Sequence, residues 1–392
     1  MLSRLLAGPT GDLYGLELSG NLSPKDEPKR LTFDNASLGP AWTKDGRGVV
    51  FTSGSYTSPS LWKIDLAQRR WRNGKAERLA FAGQDVRQPA ISRNGRLAYA
   101  RYPVNTNVWR LDLGGGSKGS VPGMKVEKAA IKLIASTRWD QNPTYSPDGK
   151  RIAFASNRSG SHEIWVCNSD GTNAIQLTSF GGPYYTADPQ WSPDGRWIFF
   201  KSAQEGHTGM YVISYEGGRP KRLGPEDKVP VGWSRDGKWI YFGSDRSGED
   251  QLWRIPWPSS GHSEDAVQVT RKGGGINVVE SSDGRFVFYL KDSDSDIASV
   301  WKVAVNGGEE TQVLESVLNG NSAVVGEGIY FIPNSKPRSV RFLSFRTGKV
   351  LSIADIPQEP GWGFSVSPDG HWLLYTAFEP IGSDLMLVEN FR

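Results

Sequence analysis

Several short runs in this 392-residue chain have the residue types of a reactive site. Gly115-Gly116-Ser117-Lys118-Gly119 fits the Gly-x-Ser-x-Gly pattern that exposes a nucleophilic serine, and Gly114 to Gly119 fits a dinucleotide-binding glycine pattern. Both patterns need a strand running into a helix. This run instead joins an apolar strand, Trp109 to Leu113, to another, Ile131 to Ile134, so it is expected to be a loop. Asp292, Asp294 and Asp296 alternate as calcium ligands do, yet Ile297 stands where the loop needs glycine and no glutamate follows at the twelfth position. That run is expected to be a solvated hairpin.

The four histidines, His162, His207, His262 and His371, fall in or beside separate loops with no metal-ligand spacing, and are expected at the surface. The single cysteine, Cys167, can form neither an intrachain disulfide nor a cysteine-based metal site, and its apolar surroundings predict an inert, buried thiol. No pair of carboxylates stands out for acid–base work. The expectation is therefore a protein without metal, cofactor or catalytic constellation.

The elements around these runs are more informative. Turn glycines recur at Gly46, Gly95, Gly149, Gly195, Gly237, Gly284, Gly328 and Gly370, with spacings of 49, 54, 46, 42, 47, 44 and 42 residues. In Ser146-Pro147-Asp148-Gly149, Ser192-Pro193-Asp194-Gly195 and Ser367-Pro368-Asp369-Gly370, proline presets φ, aspartate bonds its own backbone and glycine accepts positive φ. Each reads as a hairpin tip. A run of β-formers follows, as in Trp197-Ile-Phe-Phe200 and Trp239-Ile-Tyr-Phe242, apolar enough to be buried on both faces. A third strand then carries a large side chain in a fixed slot: Trp62, Trp109, Trp165, Tyr211, Trp253, Trp301 and Phe342. A more polar fourth strand, such as Ile175-Gln-Leu-Thr178 or Val267-Gln-Val-Thr270, suits an outer edge.

Four strands per repeat predict an all-β protein, a β-propeller of four-stranded antiparallel blades, eight in number with seven as the alternative. Residues 12–18 match a third strand and Lys29-Arg-Leu-Thr32 a fourth, while Asp384 to Val388 ends the last repeat at its third strand. The predicted closure pairs residues 29–32 with that C-terminal strand. The domain plan is one propeller over residues 1–392: a tail at 1–11, a partial blade at 12–33 completing the last repeat, and repeats over 34–392. Residues 12–18 are then surplus, either an extra strand at the seam or the remnant of a longer parent chain, and we favour the second.

In a propeller the segments entering the innermost strands converge on one mouth of the channel, where ligands are usually taken. These segments hold Gln88, Asn142 and Asp188, with Arg87, Arg138, Trp139, Tyr184, Tyr185 and Trp362 beside them. Aromatic anchors among polar groups suit a protein or peptide ligand. The net charge of +4 comes from 46 basic and 42 acidic residues without a clustered basic face, so direct nucleic-acid binding is not expected. The N-terminus lacks a signal-peptide core and no stretch approaches a membrane span, so a soluble monomer is expected.

The motif shared by Trp191-Ser-Pro-Asp-Gly-Arg-Trp-Ile-Phe-Phe200, Phe154-Ala-Ser-Asn-Arg-Ser-Gly160 and Phe242-Gly-Ser-Asp-Arg-Ser-Gly248 resembles the TolB-like, WD-repeat-like β-propeller family, over residues 12–392 in all but the seventh repeat. The closing run Ser383 to Arg392 resembles the ends of bacterial CadC-like winged-helix regulators, in which such a propeller follows a DNA-binding domain and a membrane segment. That resemblance implies a sensor role in signalling, outside the cytoplasm. Similar propellers accompany kinases and peptidases, which leaves a hydrolase or lyase using channel residues as the alternative.

Overall fold

The computed structural model describes residues 2–5, 11–33, 37–54, 59–66, 76–114, 130–182, 184–204, 208–223, 229–258, 265–273, 275–292, 296–380 and 382–391. The glycine-rich run 115–119, Asp294, His207 and His262 lie outside them. Among the described residues the structure is strands throughout, with one short 3-10 turn at Ala80–Ala82. The chain divides into two compact units, residues 105–379 and residues 1–104 with 380–392.

The larger unit is a succession of antiparallel meanders. Three are consecutive four-stranded sheets, over residues 140–176, 186–222 and 229–268. A seven-stranded sheet follows, from Ile276–Glu280 to Val350–Asp355, and holds two meanders in one. Its strand Thr311–Val325, 15 residues long, serves as the outer strand of the first and the inner strand of the second, with a register shift between Val317 and Ser322 at the changeover. The sixth meander joins distant segments in the order Glu359–Val366, Trp372–Pro380, Val104–Asp112 and Ile131–Ile134.

Apolar burial turns this row into a ring. The second strands are buried on both faces, with Ile198, Phe199, Phe200, Ile240, Tyr241 and Phe242 all at 0% exposure, and each such side chain contributes roughly 1.5–3 kcal/mol. Ala153, Ile164 and Val166 of the 140–176 sheet share a cluster with Ala187 and Ile198 of the next sheet. Equivalent clusters join each following pair of meanders. A fifth joins Ile332 and Val340 to Leu373 and Tyr375, and a sixth joins Val108 and Leu374 back to Tyr145, Ile152 and Phe154.

The hairpin tips form as their residues predict. Ser146 Oγ donates to Asp148 Oδ1 at 2.6 Å, and the Lys150 N–H donates to the same oxygen at 3.1 Å. The clip recurs at Ser192/Asp194, Ser234/Asp236, Ser281/Asp283 and Ser367/Asp369. These bonds hold the carboxyls of Asp148, Asp236 and Asp369 below their ordinary value, and that of Asp283 at about 2.

The predicted closure is corrected by the pairing. Lys29–Arg30 pairs with Tyr14–Gly15, so residues 12–33 do not complete the last repeat and residues 12–18 are not surplus. Asp384–Val388 pairs instead with Leu97–Arg101, and the strand that follows Leu97–Arg101 in sequence, Val104–Asp112, joins the sheet of Trp372–Pro380. The reason lies in the linker Tyr102-Pro103. A two-residue hairpin needs positive φ at its turn, which proline cannot adopt, so the chain runs on into another sheet. The pairing thus places six meanders in residues 105–379. Three sheets form the other unit: Leu2–Leu5 with Gly11–Gly15 and Lys29–Arg30; the four strands from Leu38–Trp42 to Ala76–Arg78; and Val86–Ile91 with Leu97–Arg101 and Asp384–Val388.

Candidate functional site

Each inner strand is interrupted by a bulge near its start. The register shifts between Arg87 and Ala90, Gln141 and Thr144, Ala187 and Gln190, and Ile276 and Val279. At these shifts Gln88, Asn142, Asp188 and Asn277 adopt φ of 56°, 52°, 55° and 51°. Asparagine and aspartate tolerate this left-handed conformation best, and in three of the four a proline follows, where the interrupted ladder needs no N–H donor. The three sequence-predicted residues Gln88, Asn142 and Asp188 therefore share one backbone role. In residues 105–379 the bulges lie at the end of the inner strands opposite the Asp-Gly tips.

Two sheets build a polar cluster there. Asp188 pairs with Lys201 at 2.6 Å, both about a quarter to a third exposed. The Lys201 ammonium lies 5.4 Å from the Tyr185 ring centre, and Gln141 Nε2 donates to the Tyr185 hydroxyl at 2.7 Å. The His162 ring packs 5.1 Å from that of Tyr185. Burial pushes the Tyr185 phenol up to about 12 and His162 down to about 4. Burial also opposes the charge on Lys201, but the carboxylate of Asp188 outweighs it and raises the ammonium above its ordinary value. At neutral pH the Tyr185 phenol and the His162 imidazole are therefore uncharged, and Lys201 is an ammonium held against the Asp188 side chain.

Tyr184, 36% exposed, and Trp362, 42% exposed, present aromatic surface at this end. Trp362 lies over Gly320, and its neighbour Gly363 approaches Asn142 so closely that an added Cβ would sit 2.6 Å from the Asn142 Cα. Trp139 is buried, its ring edge-on to Phe378 at 6.3 Å, and Arg138 is half-buried with its N–H donating to Ser136 Oγ. Arg87 and Gln88 belong to the other unit, half-buried and exposed respectively.

Sequence reasoning missed Gln141 and Lys201, and His162 corrects it: this histidine is 3% exposed, because Tyr185 of the next sheet covers it. Cys167 is 2% exposed, and burial pushes its thiol up to about 12. Among the described residues no group of three His, Cys, Asp or Glu is placed to hold a metal ion, and no helix is long and apolar enough to cross a membrane. A cavity of about 430 Å³ lies at the opposite end, among the Asp148 and Asp369 tips, with Arg110 stacked 4.4 Å over Trp372.

Residues 118–231 and 188–363 match the TolB beta propeller domain. A protein TolB homolog of Chlorobium chlorochromatii is 32% identical over 127 residues, 32% of this chain and 25% of the relative. The Tol-Pal system protein TolB of Anaeromyxobacter dehalogenans is 34% identical over 142 residues, 36% of this chain and 19% of that protein. The matches thus span a quarter or less of either relative. Among solved structures, a putative TolB from Agrobacterium tumefaciens superposes with a TM-score of 0.54 at 17% identity, over 71% of this chain and 99% of that one. A puromycin-hydrolyzing peptidase of Mycobacterium tuberculosis gives 0.45 at 15% identity, over 83% and 55%, a likeness too low to bear on activity.

Proposed function

This chain belongs to the TolB beta propeller domain family, and from that premise we propose that it is a non-catalytic recognition module that takes a protein or peptide segment at the bulged end of residues 105–379. One observation carries the reading: the Gln141–Tyr185–Lys201–Asp188 cluster, an ion pair and a phenol fixed in neighbouring sheets, beside the exposed rings of Tyr184 and Trp362. Exposed aromatics anchor a segment and the ion pair orients its polar groups. Asn142, Arg138 and Trp139 shape the floor, while Arg87 and Gln88 offer the same residue types on the other unit. The Tyr185 phenol, the His162 imidazole and the Lys201 ammonium, each shifted away from neutral pH, favour binding over turnover.

A peptide array read with the purified chain tests this. Binding is expected for the wild type and is lost on joint Tyr184→Ala and Trp362→Ala substitution; equal binding by the variant moves the site elsewhere. Turnover of a peptide or glycan, abolished by Asp188→Asn, would replace recognition with catalysis. We further propose that the propeller is the monomeric sensor part of a bacterial regulator acting outside the cytoplasm, without touching DNA itself. An in-frame winged helix and apolar span encoded upstream of Met1 would support that role, and a peptidase or kinase domain there would overturn it.

A further inference from the structure

The outer edge of Asp384–Val388 is built to receive a strand. In four other sheets the second residue of the third strand, Leu61, Ile164, Met210 or Leu252, is at most 1% exposed, and Leu13, third in Gly11–Gly15 of the three-stranded sheet, is 0% exposed. In each, the next segment of the chain covers it, and the N–H of a Leu or Val in that segment (Leu31, Leu79, Leu177, Leu223 or Val269) donates 2.8 Å to its carbonyl. Leu385 occupies the same position, second in its strand and opposite Ala100 as Ile164 is opposite Ala155. It is 80% exposed, and Leu387 beside it 57%, where the matching Val166 is 9% exposed. Asp384–Val388 ends its sheet, with Leu97–Arg101 on one side and no strand on the other among the described residues.

The occupied sheets also specify the missing segment. In three of them a threonine follows the Leu or Val, and its hydroxyl accepts the N–H of Leu13, Ile164 or Leu252 at 2.8–2.9 Å. In the same three the residue before that N–H is Asp12, Glu163 or Gln251, whose side-chain oxygen accepts the threonine hydroxyl. Where Ser60 or Gly209 stands instead, the segment reads Leu79-Ala80 or Leu223-Gly224, without threonine. The edge at Leu385 carries Asp384.

We propose that this edge binds an extended segment of a partner polypeptide bearing a Leu-Thr or Val-Thr pair, by strand addition. The leucine N–H donates to the Leu385 carbonyl, the threonine oxygen accepts the Leu385 N–H, and the threonine hydroxyl donates to the Asp384 carboxylate. The partner's apolar side chain covers Leu385 and Leu387. Main-chain bonds supply affinity and the Asp–Thr pair supplies selectivity.

The probe is a fluorescein-labelled peptide of the sequence Thr-Asn-Ala-Ile-Gln-Leu-Thr-Ser-Phe, titrated with the full chain by fluorescence anisotropy. Saturable binding is expected, weakened about tenfold by Asp384→Ala, which removes one charge-assisted hydrogen bond, and by more than that by valine for the peptide threonine, which also removes the acceptor of the Leu385 N–H. Leu385→Asp, an exposed change compatible with folding, abolishes it, as does N-methylation of the peptide leucine. Binding indifferent to N-methylation or to Leu385→Asp overturns the proposal, and so does no saturation up to about 1 mM. A wild-type dimer on sedimentation that Leu385→Asp converts to monomer also overturns it, because a second copy then fills the edge.

Discussion

His162 gives the sharpest test of the packing between the 140–176 and 186–222 sheets. Its ring is 3% exposed against Tyr185, and burial lowers its pKa from 6.5 to about 4. The unfolded chain takes up a proton near 6.5, which the folded chain refuses until about 4. Between those values the unfolded state binds more protons, so stability falls as the pH falls. The contribution is complete above 6.5 and gone below about 4. A gap of about 2.5 pH units at about 1.4 kcal/mol each is about 3.5 kcal/mol, of which about 3 kcal/mol is lost between pH 7 and pH 4, a large share of an ordinary domain's stability. Urea unfolding of the wild type and of His162→Gln, followed from pH 7 to pH 4, isolates the term, since the acidic turns titrate alike in both. The wild type should lose about 3 kcal/mol more than the variant. Parallel profiles, or an imidazole proton resonance titrating near 6.5 in the folded protein, would refute the reasoning.

Other side chains make equally definite claims. Glu310 accepts the N–H groups of Arg271 and Lys272, the Tyr289 hydroxyl and the Lys291 ammonium, all within 3.0 Å, so Glu310→Gln should cost about 2–4 kcal/mol by chemical denaturation. Asp148→Ala removes one turn clip and should cost about 1 kcal/mol. Because the carboxyls of Asp148, Asp236 and Asp369 titrate below their ordinary value and that of Asp283 at about 2, the stability these four add is present above the ordinary carboxylate range and is lost as the pH falls through their lowered values; an acid melt series measures it. Gly363→Ala, at φ 127° and with its Cβ driven into Asn142, should lower stability by about 2 kcal/mol or more, whereas Gln88→Gly, at φ 56°, should be neutral or stabilising.

Much of the fold was written locally and therefore legibly. The Ser-Pro-Asp-Gly tips close through bonds within five residues, as Ser146 and Asp148 do, and the apolar second strands leave no other place for Ile198 or Phe242 than between sheets. The bulge residues Asn142 and Asp188 were legible because aligning the repeats places both in segments that enter an innermost strand, at the same distance before a tip. Strand partnership was not local. Residues 104–112 and 384–388 offer similar alternating patterns, and the choice between them rests on Tyr102-Pro103, a linker that a repeat alignment passes over. Lys201 was hidden because it ends an apolar strand and meets Asp188 only through the bulged register, and Trp139 looked like an anchor because Phe378, which covers it, belongs to the far end of the chain.

The central claim is that residues 105–379 form a self-closed ring carrying the candidate site, with Val104–Asp112 completing the sheet of Trp372–Pro380. Expressing residues 105–379 alone and following thermal unfolding by circular dichroism tests it most directly. The account predicts a β-rich spectrum lost in a single cooperative transition. A chain that stays unfolded, or that folds only when residues 12–33 are restored to it, would contradict the ring and return the closure to the N- and C-terminal strands.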